Sequence, residues 1–255
     1  MMNLKNILIT GAGSGIGRAL ALSYSAAGVN LFLCGRNLQK LQEVKNLCEA
    51  LKANVLLEVL DVRDELQTQN WITKIEENFE LDLVIANAGI SAGTAGGTES
   101  FSQVKEIFST NLNGVLNVIY PAIERMKIRR RGQIGIVSSL AGFRGLPSSP
   151  AYSASKAAVR VFGEGLRGNL ARLGIEVSVI CPGYVRTPMT DVNEFPMPFL
   201  MSAEQCASII KSGLEKNKSR IAFPFPLYFV VWLMTLLSTK ITDPIFAKLP
   251  GKKSL

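Results

Sequence analysis

The 255-residue chain contains no histidine. That absence removes Ser-His-Asp catalysis and, since no cluster of metal-ligand residues stands elsewhere, argues against catalytic zinc. Cysteine is scarce as well: Cys34, Cys48, Cys181 and Cys206 have no CxxC spacing, and two lie in apolar strand-like runs. They are expected as small buried hydrophobes in a reducing compartment. No low-complexity run is present and charged residues make up 19%, which argues against disorder. No basic stripe interleaves with aromatics, so nucleic acid is not an expected partner. The opening MMNLKNILIT passes directly into a strand pattern and leaves no room for a signal peptide. A cytoplasmic location is therefore expected, with the tail described below allowing the cytoplasmic face of a membrane.

What is present is an apolar, mildly basic chain. Hydrophobic residues make up 47%, enough for a sizeable core, and the net charge of +8 favours anionic partners such as phosphates or acidic lipid. Arg129, Arg130 and Arg131 read as a solvated helix end whose charge suits the helix dipole. Short apolar runs at Asn6 to Thr10, Asn30 to Cys34, Asn54 to Leu60, Leu81 to Ala86, Gln133 to Ser138 and Glu176 to Cys181 are expected strands buried on both faces. Helix-length stretches at Ile16 to Ala27, Leu38 to Lys52, Glu65 to Phe79, Gln103 to Arg129 and Ala151 to Leu173 alternate with them. Such alternation predicts an α/β fold: one doubly wound parallel sheet flanked by helices, with no repeat and no dividing linker.

Two stretches carry chemistry. ITGAGSGIGRAL follows the first strand and opens the first helix; its glycines permit a tight turn and let the backbone approach a pyrophosphate at the helix N-terminus. Gly11, Gly15 and Gly17 give the spacing GxxxGxG, and a plain strand-to-helix turn stays open as the alternative. In AYSASKAAVRVFGEGLR, Tyr152 and Lys156 stand four apart on one helix face, so a phenol and an ammonium converge.

In these motifs the sequence resembles the short-chain dehydrogenase/reductase family. The resemblance runs from about Leu4 to Phe223: TGAGSGIG at Thr10 to Gly17, NAG at Asn87 to Gly89, Asn111 in STNLNG, Ser139 in SSLAG, YSASK at Tyr152 to Lys156, and PGYVRT at Pro182 to Thr187. It implies a single-domain Rossmann fold that transfers hydride between a nicotinamide cofactor and an alcohol or carbonyl carbon, assembled as a homodimer or homotetramer through its long helices. Tyr152 would exchange the proton with the substrate oxygen. Lys156 and the positive nicotinamide would lower the phenol below its ordinary value of about 10. Lys156 would also bind the nicotinamide ribose, Ser139 would hold the substrate oxygen, and Asn111 would position a relaying water. Ser138 is the neighbouring candidate for the serine role.

The resemblance also assigns the cofactor contacts. Gly11, Gly15, Ile16 and Gly17 would line the pyrophosphate turn, and Ser14 in the same loop could add a hydrogen bond beside Arg36. Asp61 and Val62 would meet the adenine edge, Asn87 would support the cleft, and Pro182, Gly183 and Thr187 would border the nicotinamide. No acid ends the second strand in LFLCGRN; Arg36 stands where a 2′-phosphate would be paired. NADP(H) is therefore expected over NAD(H), a surface arginine being the alternative. In PMTDVNEFPMPFLMSAEQ, Phe195, Met197, Phe199, Leu200 and Met201 would form an apolar lid over a small hydrophobic substrate, or pack on the domain or a partner.

The end of the chain departs from that pattern, which divides it into residues 1–223, a dinucleotide-binding and catalytic domain, and residues 224–255, an apolar extension. Ile221 to Phe223 would be the last strand, and from Ile221 to Thr239 there is no charge. A helix starting near Leu227, after Pro224 and Pro226, would extend only about 20 Å, short of the roughly 30 Å of a hydrocarbon core. A helix on the membrane surface, with Tyr228 and Trp232 at the interface and Lys240, Lys248, Lys252 and Lys253 facing acidic headgroups, fits the run. A helix buried against a second subunit or over the cleft also fits. The functional expectation is an NADP-dependent oxidoreductase for a hydrophobic, lipid or steroid-like ketone or secondary alcohol; the alternative is a non-catalytic dinucleotide sensor or scaffold.

Overall fold

A computed structural model describes residues 4–247 and 252–254. Seven strands form one sheet: β1 (Asn6–Thr10), β2 (Asn30–Gly35), β3 (Asn54–Val59), β4 (Leu83–Ala86), β5 (Gly132–Val137), β6 (Ile175–Pro182) and β7 (Arg220–Phe223). They lie in the order β3-β2-β1-β4-β5-β6-β7, with every pairing parallel. The chain winds outward from β1 to β3 and then returns to the other side of β1 with β4. That reversal opens a crevice at the carboxyl ends of β1 and β4.

Ten α-helices cover the sheet among the described residues: α1 (Gly15–Tyr24), α2 (Leu38–Ala50), α3 (Glu65–Glu76), α4 (Phe101–Phe108), α5 (Gly114–Arg129), α6 (Pro150–Leu170), α7 (Pro188–Asp191), α8 (Ala203–Glu215), α9 (Phe225–Thr235) and α10 (Thr239–Phe246). The strand alternation sorts the core into two layers. Ile7 and Ile9 face a cluster with Leu20, Val44 and Ile210, while Leu8 faces the opposite one with Val118, Ile123 and Val159. The four cysteines are free and buried.

Several expectations need correction. The stretch expected as one helix from Gln103 to Arg129 is α4 and α5 joined by a π-helical turn at Ser109–Asn113. The edge strand β3 buries only Val55 well, since one of its faces meets solvent. The stretch read as a lid gives way at Ala203 to α8, whose Cys206, Ala207, Ile210 and Leu214 pack on the sheet. Arg129 is not a solvated helix end: it pairs with the buried Glu76 at 2.7 Å and donates to the Leu81 carbonyl at 2.6 Å. The single helix expected from Leu227 begins at Phe225, stops at Thr235 and resumes as α10. Among the described residues no helix is long and apolar enough to cross a membrane. Lys248 lies outside the described residues.

Candidate active site

The crevice is a cleft of about 540 Å³ that runs from the glycine loop and Arg36 to Tyr152 and Thr187. At one end the turn from β1 into α1 places Gly11, Gly13, Gly15 and Ile16 on the wall, with Gly11 and Gly15 at φ +64° and +52°. Only glycine adopts such angles without strain, and side chains here would fill the cradle. Ser14 caps α1 without spending its hydroxyl on a cap hydrogen bond. Gly17 is not on the wall: a Cβ there would fall 2.3 Å from the Gly11 carbonyl oxygen, so it permits the close approach of α1 to the loop. Asn87 ties this loop to the end of β4: its Nδ2 donates to the Thr10 carbonyl at 2.8 Å and its backbone N–H donates to Thr10 Oγ1 at 3.0 Å.

The adenosine end carries a charge pattern only half anticipated. Arg36 lines the cleft and forms no ion pair among the described residues; Lys40, in the first turn of α2, lines it too. Asp61 also lines the cleft, but Arg63 clasps it at 2.6 Å and holds its carboxyl below the usual range. Lys40 was visible as a basic residue four positions after Arg36 on the first turn of α2. Val62 stands beside Asp61 on the wall.

At the other end α6 presents the phenol and the ammonium on one face. Lys156 is 4% exposed, and its Nζ donates to the Val137 carbonyl at 2.9 Å. It has no carboxylate in an ion pair among the described residues, and burial pushes it down to about 8. Its Nζ stands 5.9 Å from the centre of the Tyr152 ring. Burial raises the Tyr152 phenol above its ordinary value, with the Ser139 hydroxyl as the opposing partner. In the protein alone burial thus outweighs the Ser139 hydroxyl; the expected lowering of the phenol includes the charge of the bound nicotinamide.

The two serines at the end of β5 separate cleanly. Ser138 is buried and donates its hydroxyl to the Lys156 carbonyl at 2.7 Å, pinning α6 to the sheet. Ser139 lies on the cleft wall beside Tyr152; its hydroxyl accepts from Ala141 N–H at 3.1 Å. Asn111 is 0% exposed and off the wall, where Thr110 stands instead. The π turn aims its amide inward: Nδ2 donates to the Ile90 carbonyl at 2.9 Å and to Ser155 Oγ at 3.0 Å, and Oδ1 accepts from Ile90 N–H at 2.8 Å. A Cβ on Gly89 would stand 3.1 Å from Asn111 Oδ1 and 3.3 Å from Lys156 Nζ, so the glycine of NAG keeps open the space in which those two groups converge.

On the substrate side, Pro182 ends β6 and Gly183 follows it on the wall, and Thr187 caps α7 through a reciprocal bond with Thr190. The five residues read as a lid are not on the wall. Phe199 is 56% exposed, Phe195 meets the Tyr184 ring at 6.3 Å, and Met201 packs against the sheet core. Met189 is the apolar residue of this stretch that lines the cleft, placed there by the turn of α7. The tail lysines also sit differently from expectation: Lys252 donates to Ser91 Oγ at 2.7 Å and Lys253 to Glu194 at 2.6 Å, so both are spent on the protein body. No group of three or more metal-ligating side chains occurs among the described residues.

With this geometry in place, the chain was compared with known proteins. The family described as short chain dehydrogenase matches residues 5–195. An uncharacterised oxidoreductase of Myxococcus xanthus is 37% identical over 246 residues, 96% of each chain. Among solved structures, a short chain dehydrogenase from Mycobacterium paratuberculosis bound to NAD superposes with a TM-score of 0.76 at 25% identity, covering 86% of this chain and 94% of that one. The protein ElxO with NADP bound superposes with the same score of 0.76 at 27% identity, covering 85% and 93%. The neighbours thus include one structure with each nucleotide.

Proposed function

We propose, on the premise that the chain belongs to the short-chain dehydrogenase family, that this oxidoreductase interconverts a hydrophobic ketone and a secondary alcohol using NADP(H). The observation that carries the reading is one cleft with a glycine cradle at one end and Ser139, Tyr152 and Lys156 at the other. The cradle fits a dinucleotide: three wall glycines leave room for a pyrophosphate and Ser14 keeps a free hydroxyl toward it. Arg36 and Lys40, which form no ion pair among the described residues, favour the extra 2′-phosphate of NADP. When bound, the nicotinamide supplies or accepts the hydride.

The chain's own groups handle the proton. Ser139 donates a hydrogen bond to the substrate oxygen, which strengthens as negative charge develops there. Tyr152 gives its proton to that oxygen in reduction and takes it back in oxidation. Lys156, cationic below about pH 8, stabilises the phenolate that remains. Asn111 has one acceptor lone pair on Oδ1 unspent toward Lys156, a place for a water that returns the proton to solvent.

The test is Tyr152→Phe. Nucleotide binding, followed by quenching of protein fluorescence, should persist, while turnover of NADPH against a panel of cyclic and long-chain ketones should fall about 10²- to 10⁴-fold. Undiminished turnover would remove Tyr152 from the proton role, whereas nucleotide binding without turnover in the native protein would favour a dinucleotide-binding sensor.

A further inference from the structure

Tyr152 has a second cation against it, and it comes from the far end of the chain. Lys252 places its Nζ 5.7 Å from the centre of the Tyr152 ring, a distance matching that of Lys156. The same Nζ donates to Ser91 Oγ at 2.7 Å. The backbone around it is docked rather than merely near. Gly93 N–H donates to the Lys253 carbonyl at 2.6 Å and Ala95 N–H to the Lys252 carbonyl at 2.8 Å, so the segment lies along the loop that follows β4. Gly93 is small for a reason: a Cβ there would stand 2.5 Å from the Lys252 Cβ. Lys253 adds a tie to Glu194 on the substrate side. Upstream, α10 is held by Arg144, which pairs with Asp243 and stacks on the Phe246 ring at 5.3 Å.

Lys252 forms no ion pair with any acid among the described residues, so its charge is not neutralised locally. The charged and titratable groups around Tyr152 and Lys252 are few. Lys156 lies on α6, with Cys181 of β6 acting on it; Glu99 accepts from the Ala151 N–H; and Glu194 is held by Lys253. Neither acid reaches the ring as an ion-pair partner of Lys252. An ammonium over an aromatic face is attracted by it, and far more when the ring carries the phenolate charge.

We propose that Lys252 is a second tuning residue of the active site, delivered by the folded-back end of the chain, which holds the Tyr152 ring and favours its ionised form. This rests on the oxidoreductase reading in which Tyr152 carries the proton. Burial pushes Lys252 down to about 8, so its charge is present at neutral pH and lost as pH rises past that value. Its influence on Tyr152 should follow the same window.

The experiment uses the full-length chain saturated with NADP, with Lys252→Gln, Lys252→Arg and Ser91→Ala compared against the native protein. Tyr152 ionisation is read by tyrosinate absorbance with the corresponding Tyr152→Phe protein as blank, which subtracts the other four of the five tyrosines. With the positive nicotinamide of bound NADP+ bringing the onset of Tyr152 ionisation into the range where Lys252 is charged, Lys252→Gln should move that onset to higher pH by up to about one unit. It should also lower turnover at pH 7 by roughly tenfold, the gap closing well above pH 8. Lys252→Arg should keep the native profile, and Ser91→Ala, which frees the ammonium from its anchor, should shift it in the direction of Lys252→Gln but less. An unmoved tyrosinate curve in Lys252→Gln overturns the proposal, as does a Lys252→Arg protein that behaves like Lys252→Gln, since that would make the segment's packing and not its charge the cause. Failure of the underlying reading looks different: Tyr152→Phe would then stay active whatever Lys252 does.

Discussion

Arg36 and Asp61 show how one side chain's meaning depends on its neighbour. From the sequence, Arg36 is a cation in the right place, and nothing there says whether an acid will claim it. In the structure Arg63 takes the carboxylate of Asp61, and Arg36 acts on that acid only at a distance. A guanidinium left with a free fork at the rim of a nucleotide cleft is suited to a phosphate monoester. Arg36→Ala should therefore weaken NADPH by about tenfold or more and leave NADH within about twofold, read by fluorescence titration of each nucleotide; equal losses would show that Arg36 does not read the phosphate. Residues of this kind were legible because they sit inside continuous motifs. Lys252 was not: its partner Ser91 lies 161 positions away, and no local spacing encodes that meeting.

At the scale of elements, the sheet and most helices were legible because buried parallel strands read as continuous apolar runs. Two elements were not. The π turn at Ser109–Asn113 looks like ordinary helix, and it is the tertiary demand of the Ile90 backbone on the Asn111 amide that explains its shape. Helix α8 was missed although its signal was present: Ser202 and Gln205 form a reciprocal capping box, a spacing that stands in the sequence ahead of an apolar face at Cys206, Ile210 and Leu214. The glycine loop yields a prediction here. Gly17→Ala puts a methyl 2.3 Å from the Gly11 carbonyl oxygen and 2.7 Å from Asn87 Nδ2, so α1 must move off the loop. Since backbone cannot yield as a side-chain tip does, the variant should lose nucleotide binding and unfold at clearly lower denaturant, a cost of about 1–3 kcal/mol by overpacking. Native affinity for NADPH in Gly17→Ala would show that this contact does not shape the cradle.

The whole molecule presents one surface that the enzyme reading leaves over. Helices α9 and α10 are anchored on the body by Leu227 and Tyr228 and by Arg144, yet Phe225 at 70% and Leu236 at 64% exposure, with Phe229, Trp232, Leu233, Ile241 and Ile245, face outward. So many large apolar side chains exposed on two successive helices are unusual on a free surface. As a proposal, this face rests on a lipid surface, which would keep the cleft beside a reservoir of hydrophobic ketone. Leu227 packs over Gly183 at the substrate end, so the two are neighbours. Because Lys252 is bonded to Ser91 and the exposed Lys253 is paired with Glu194, Lys240 is the exposed tail cation without an ion-pair partner among the described residues, and apolar insertion should dominate over charge. The intact protein should therefore co-sediment with vesicles of phosphatidylcholine and phosphatidylglycerol, and raised salt should weaken that binding only slightly. Phe225→Glu combined with Leu236→Glu, both at exposed positions, should leave the protein in the supernatant with its melting temperature and nucleotide affinity unchanged. A second copy on the same face predicts otherwise: intact protein stays in the supernatant and sediments as a dimer, and the double variant sediments as a monomer. That outcome would refute membrane docking and assign the face to self-association.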